Sequence, residues 1–162
     1  MDFKTNNNIV YSCRYHVVWC PKYRRKVLRD SISERLGELM EEKCSEIGVD
    51  IIEMEIQPDH VHLLIEADPR YGVNKAIKSI KGYTSHMLRK EFAELTTKLP
   101  TLWTNSYFIS TVGGAPVSAM KRYIESQARS QREEGKRATN MNGVHVQSTP
   151  IDDAINKTVK NT

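Results

Sequence analysis

The stretch on either side of Pro58-Asp59 constrains this chain most. Before it, residues 49–57 alternate, with Ile52, Met54 and Ile56 apolar and Glu53 and Glu55 charged between them. After it, Val61, Leu63 and Ile65 alternate with His60, His62, Leu64 and Glu66. A period of two belongs to a strand whose two faces meet different surroundings. A Pro-Asp turn signal between two such runs predicts a hairpin. One face of the His60 strand is apolar enough for a core, and the other carries two imidazoles side by side.

The rest of the chain supplies what that hairpin needs for burial. Residues 9–20 are rich in β-branched and aromatic types and predict a first strand, which Pro21 ends. Tyr11, Cys13, Tyr15, Val17 and Trp19 form its more apolar face, and Arg14 and His16 lie on the other. Ser31-Ile32-Ser33-Glu34 has capping-box spacing, and Ile32, Leu36, Leu39, Met40 and Ile47 then recur at helical intervals up to Gly48. Val73, Ile77, Ile80, Met87 and Leu88 share one face of a second helix, from Val73 to about Phe92. A loop from Pro100 to Asn105 contains Trp103, and residues 107–112 read as a fourth strand. Gly113-Gly114 breaks it, and Pro116 opens a last helix that runs to about Arg132 and carries Met120, Tyr123, Ile124 and Gln127. Residues 1–132 therefore form one domain. Residues 133–162 are polar and predict a flexible tail, with a short helix near Ile151 to Val159.

The order β-α-β-β-α-β predicts an α+β, ferredoxin-like split βαβ fold, an antiparallel sheet with two helices on one face, plus a C-terminal helix that carries Tyr123. The two crossover helices claim Val61, Leu63 and Ile65. His60 and His62 then point to the uncovered face, His16 joins them from a neighbouring strand, and the last helix can lie over all three.

Composition narrows the function classes. With 39% hydrophobic and 27% charged residues over 162 positions, the chain is an ordinary globular domain. No apolar run reaches bilayer length and the amino terminus lacks the apolar core of a signal peptide, so a cytoplasmic location without a membrane partner is expected. Cys13, Cys20 and Cys44 are odd in number with no C-x-x-C spacing, which suggests reduced thiols rather than disulfides or a zinc knuckle. The net charge of +4 is compatible with a polyanionic partner. Lys22, Arg24, Arg25 and Lys26 cluster around Tyr23, and Lys75, Lys78, Lys81 and Arg89 form a partly continuous stripe on the second helix. Each is either a solvated surface or a phosphate contact, and their coexistence raises the case for nucleic acid.

The chemistry-bearing residues fall into a pattern. His60 and His62 on one strand face are a metal-ligand signal, whereas a structural zinc site is less attractive with two histidines and no thiolate. Tyr123 and Gln127, four residues apart, share a helix face. A phenol near a divalent cation is a plausible attacker on phosphorus, and an amide oxygen suits a hard ion such as Mg2+ or Mn2+.

Residues 15–24 (YHVVWCPKYR), 58–64 (PDHVHLL), 111–114 (TVGG) and 123–127 (YIESQ) together resemble the HUH-type single-tyrosine TnpA transposases of small bacterial and archaeal insertion sequences. The likeness runs in order over nearly all of residues 10 to 130. It implies cleavage and rejoining of single-stranded DNA at element ends through a 5′-phosphotyrosine on Tyr123, without ATP, and recognition of subterminal DNA hairpins. It also implies that His60, His62 and Gln127 hold the divalent metal. A homodimer in which one subunit's tyrosine helix completes the other's site is implied as well, with Gly113-Gly114 letting that helix swing. His16 is placed beside the ligands, shaping the site or touching DNA; Asp59 and Glu66 are expected to be structural. Two other readings share these residues: a relative that only binds structured nucleic acid, and HUH chemistry put to replication initiation or conjugative nicking.

Overall fold

The computed structural model describes residues 3–112 and 121–127. Its centre is a four-stranded antiparallel sheet in the order β4-β5-β3-β6, built from β3 (Arg14–Trp19), β4 (Asp50–Gln57), β5 (His60–Glu66) and β6 (Phe108–Thr111). α1 (Asp30–Ile47) connects β3 to β4, and α2 (Val73–Glu91) connects β5 to β6. This is the expected split βαβ arrangement, with the first and third sheet strands paired at the centre.

Both helices cover one face. Ile32, Leu36, Leu39, Met40 and Cys44 of α1 and Ala76, Ile77, Ile80 and Leu88 of α2 form one core with Val17, Trp19, Val61, Leu63 and Ile65 of the sheet. Burial of these alternating apolar side chains is the main drive for folding. Arg35 of α1 adds a paired contact to Glu91 at the end of α2, at 2.8 and 3.1 Å. Trp103 packs edge-on against Trp19 at 5.9 Å and donates its indole N–H to Thr84 Oγ1.

Four local features depart from the expectations. The predicted first strand is divided: β2 (Ile9–Tyr11) folds back on β1 (Lys4–Asn6) in a separate hairpin, and only Arg14–Trp19 enters the main sheet. Asn7, at φ 46, makes the left-handed turn that permits this. α1 begins at Asp30, and no side-chain hydrogen bond caps it, so Ser31 and Glu34 do not form a capping box. The amides of Ile32 and Ser33 bond instead to the carbonyl of Arg29, while Leu28 N–H is tied to Pro58 O. In β4 a bulge between Ile51 and Glu53 shifts the alternation by one residue. Ile51 therefore opposes Ile65 on the helix side, and Ile52 is left 41% exposed. Finally, an unanticipated short helix α3 (Ala93–Lys98) follows α2, with Leu95 buried.

At its other end α1 stops where expected: Gly48 at φ 71 takes the left-handed cap position. Cys20 and Cys44 are buried and Cys13 half-buried, all three unpaired. Among the described residues, no helix is long and apolar enough to cross a membrane. The Gly113-Gly114 break, Pro116, Met120, the helix end near Arg132 and the tail after residue 133 lie outside the described residues.

Candidate active site

Directly opposed residues of an antiparallel ladder share a face, so the register fixes what surrounds the histidines. One row across the uncovered face is Glu55, His62, Val18 and Phe108; the next is Glu53, Leu64, His16 and Ser110. His60 opposes Gln57 at the end of the hairpin. His16 and His62 lie diagonally across β3 and β5, their rings stacked at 5.4 Å with His16 Nδ1 3.1 Å from His62 Nε2. One of those nitrogens carries the shared proton and the other accepts it. Burial, with His16 adding to it, lowers the pKa of His62, so this imidazole is held toward its neutral, lone-pair-bearing form.

His60 is held differently. Its Nδ1 lies 2.8 Å from Asp59 Oδ1, and Arg24 Nε donates to Asp59 Oδ2 at 2.9 Å. Asp59, expected to be only structural, is thus in direct contact with a site residue. Strand alternation does not extend into the turn in which Asp59 sits. Arg24, assigned to a DNA-contacting cluster, is committed to this carboxylate. Glu66 fits its structural assignment: it is buried, with Arg14 Nε at 3.8 Å and Lys4 Nζ at 4.0 Å.

The helical residues 121–127 lie over the Phe108 end of the His62 row. Tyr123 is 6% exposed, packed against Val18, with its ring 5.6 Å from that of Phe108. Its hydroxyl donates to Ser106 Oγ at 3.2 Å, and Ser106 Oγ donates in turn to Gln127 Oε1 at 3.5 Å. Burial pushes the phenol up to about 12, although the Ser106 contact acts in the opposite direction. Val18 stands directly between His62 and Phe108 in the ladder, so Tyr123 packs on the strand next to the one that carries His62.

Ser106 carries no local sequence signal, because its role arises from a contact with a helix that follows in the chain. Its loop has an unexpected anchor. Lys81, read as part of an exposed stripe, is 9% exposed and donates to the carbonyls of Thr104 at 2.6 Å and Ser106 at 3.1 Å, with that of Asn105 at 3.5 Å. Its burial lowers the ammonium pKa to about 8. Lys81 is therefore an internal brace and not a surface cation. Lys75 and Lys78 of the same stripe remain exposed, as do Arg25 and Lys26, while Lys22 is half-buried beside the Tyr23 ring.

The donor set suits a divalent cation in part. The acceptor carboxylate on His60 Nδ1 leaves its Nε2 lone pair available, and burial favours the neutral form of His62, but its Nε2 faces His16. Among the described residues no three His, Cys, Asp or Glu side chains group into a metal cage. Among the described residues on this face, Gln127 offers an amide oxygen as a candidate third donor. No hydrogen bond links Gln127 to either histidine.

Residues 9–127 match the family model of IS200-like transposases. The ISDra2 transposase TnpA of Deinococcus radiodurans is 34% identical over 129 residues, 78% of this chain and 92% of that protein. The transposase for insertion sequence element IS200 of Salmonella typhimurium is 31% identical over 128 residues, 78% of this chain and 84% of its own length. A crystal structure from Deinococcus radiodurans R1, assigned as a transposase, superposes with a TM-score of 0.71 at 31% identity, covering 76% of this chain and 97% of that one.

Proposed function

This chain belongs to the IS200-like transposases, and from that premise we propose that it cuts and rejoins single-stranded DNA at the ends of an insertion sequence, with Tyr123 as nucleophile and His60, His62 and Gln127 as ligands of Mg2+ or Mn2+. The observation that carries this reading is the seat of Tyr123 on Val18 and Phe108, in the same cross-strand row as His62, on the face that α1 and α2 leave open. A bound cation there would supply charge neutralisation to the scissile phosphate.

The chain's own part begins with the phenol. Tyr123 donates to Ser106 in this seat, so its proton must leave before the oxygen can attack. The phenolate oxygen then bonds to phosphorus, the bond from phosphorus to the 3′ oxygen breaks, and that oxygen departs as a 3′-hydroxyl once protonated. The product is a 5′-phosphotyrosine that conserves the ester, so a later 3′-hydroxyl can reverse the step without ATP. His16, at van der Waals and hydrogen-bond distance from His62, holds that ring in place.

Lys22, Arg25, Lys26, Lys75 and Lys78 are left to contact the phosphates of a subterminal hairpin. The same reading places the enzyme in the cytoplasm and makes it a homodimer with exchanged tyrosine helices. Residues 121–127 rest on their own chain's Val18 and Phe108, so exchange would substitute a partner's helix in this seat.

Incubation with labelled hairpin-bearing single-stranded DNA and Mn2+, followed by denaturing electrophoresis, tests the assignment. Wild type should give a covalent protein–DNA band that chelator abolishes, and Tyr123→Phe should give none while still shifting the hairpin in a native gel. A band that persists in Tyr123→Phe removes Tyr123 as nucleophile. Binding without cleavage under any divalent metal would make the chain a DNA-binding relative only.

A further inference from the structure

A carboxylate can only accept, so the 2.8 Å contact between His60 Nδ1 and Asp59 Oδ1 places the ring proton on Nδ1. The remaining lone pair of the neutral ring is then on Nε2. Arg24 Nε donates to the second carboxylate oxygen at 2.9 Å, which leaves Oδ1 turned toward the imidazole. We propose that Asp59, locked by Arg24, is a positioning residue that fixes the His60 tautomer and aims its Nε2 at the catalytic cation. The inference rests on His60 being a metal ligand, as read above.

The backbone on both sides is arranged for this contact. Tyr23 and Arg24 are successive non-glycine residues in the left-handed region, at φ 59 and 47, a conformation that persists only where surrounding structure imposes it. That turn delivers the Arg24 guanidinium to Asp59. On the other side, Leu28 N–H bonds to Pro58 O at 3.0 Å and holds the residue before Asp59. The three side chains are 23%, 15% and 19% exposed for Arg24, Asp59 and His60, so water competes little for their bonds. A carboxylate behind a ligating imidazole orients the ring and raises its basicity, and loss of such a partner commonly weakens metal binding about 10–100-fold.

The arrangement makes an unusual ordering of variants. In Asp59→Asn the guanidinium, which only donates, must face the amide oxygen, so the amide NH2 is turned toward His60 Nδ1. His60 must then accept at Nδ1 and carry its proton on Nε2, the nitrogen a cation needs. Asp59→Ala removes the support but imposes no wrong tautomer. Asp59→Asn should therefore lose more Mn2+ affinity than Asp59→Ala, on the order of 10–100-fold below wild type. Arg24→Met in the Asn background frees the amide to rotate and should restore part of the loss.

Two measurements on the full chain read this out. Long-range proton–nitrogen correlation spectra of the metal-free protein at about pH 8 should show His60 protonated at Nδ1 in wild type and at Nε2 in Asp59→Asn. Mn2+ titration followed by electron paramagnetic resonance gives the affinities. A wild-type His60 protonated at Nε2, or equal affinities for the Asp, Asn and Ala forms, overturns the proposal. A wild type that takes up no Mn2+ overturns the metal reading itself, whereas the tautomer spectrum still decides whether Asp59 holds His60.

Discussion

On the helix-covered face of the sheet, Val17, Trp19, Val61, Leu63 and Ile65 are at most 1% exposed and belong to one apolar core. On the opposite face, His16, His62, Leu64 and Ser110 are half-buried, and their neighbours are joined by individual hydrogen bonds at 2.8 to 3.5 Å. The same two strands, β3 and β5, supply both faces. The covered face depends on volume and should respond in proportion to it. The open face depends on which atom donates and which accepts, so it should fail chemically while the fold survives.

The largest effect should come from the open face. His62→Ala should abolish Mn2+-dependent cleavage of hairpin DNA while changing unfolding free energy by about 1 kcal/mol or less. Collapse of the fold in a denaturant titration of that variant would break the distinction between the faces. On the covered face, Leu63→Ala should cost about 2–5 kcal/mol, while Leu64→Ala, one residue on and half-buried, should cost about 1 kcal/mol or less. Equal losses would mean that both faces are packed alike.

Lys81 joins the two regions, because it rises from α2 and braces the loop that carries Ser106. Burial depresses its pKa from 10.5 to about 8, so the unfolded chain holds this proton more tightly than the folded one. The cost of burying the charge is present in full below about 8 and is relieved as pH rises toward 10.5. The stability of wild type relative to Lys81→Met should therefore increase across that window in urea titrations. A flat difference would show that Lys81 titrates as an exposed amine. The smallest effect belongs to the surface: Lys75→Gln and Lys78→Gln should each weaken DNA binding modestly and reduce the salt slope by about 0.7 per lost phosphate contact. An unchanged slope removes that helix from the interface.

Much of this architecture is legible residue by residue. Period-two alternation around Pro58-Asp59 and the helical stripes of α1 and α2 follow from local geometry and the need to bury apolar surface, and they dictate that the His60 and His62 face is left uncovered. The family likeness in the YHVVWCPKYR, PDHVHLL and YIESQ segments is legible for the same reason, as it resides in short contiguous runs. Local pattern misplaces what depends on one added residue or on partners distant in the chain. The bulge that exposes Ile52 shifts the phase by a single position, and the Asn7 turn divides the first strand. Lys81 has the spacing of a surface lysine, yet three carbonyls from residues 104–106 lie over it. Asp59 and Ser106 gain their roles from Arg24 and Tyr123, 35 and 17 residues away, through hydrogen bonds whose range is one atom-to-atom contact. Periodicity reports which face a side chain takes; only the assembled fold decides which atom it meets there.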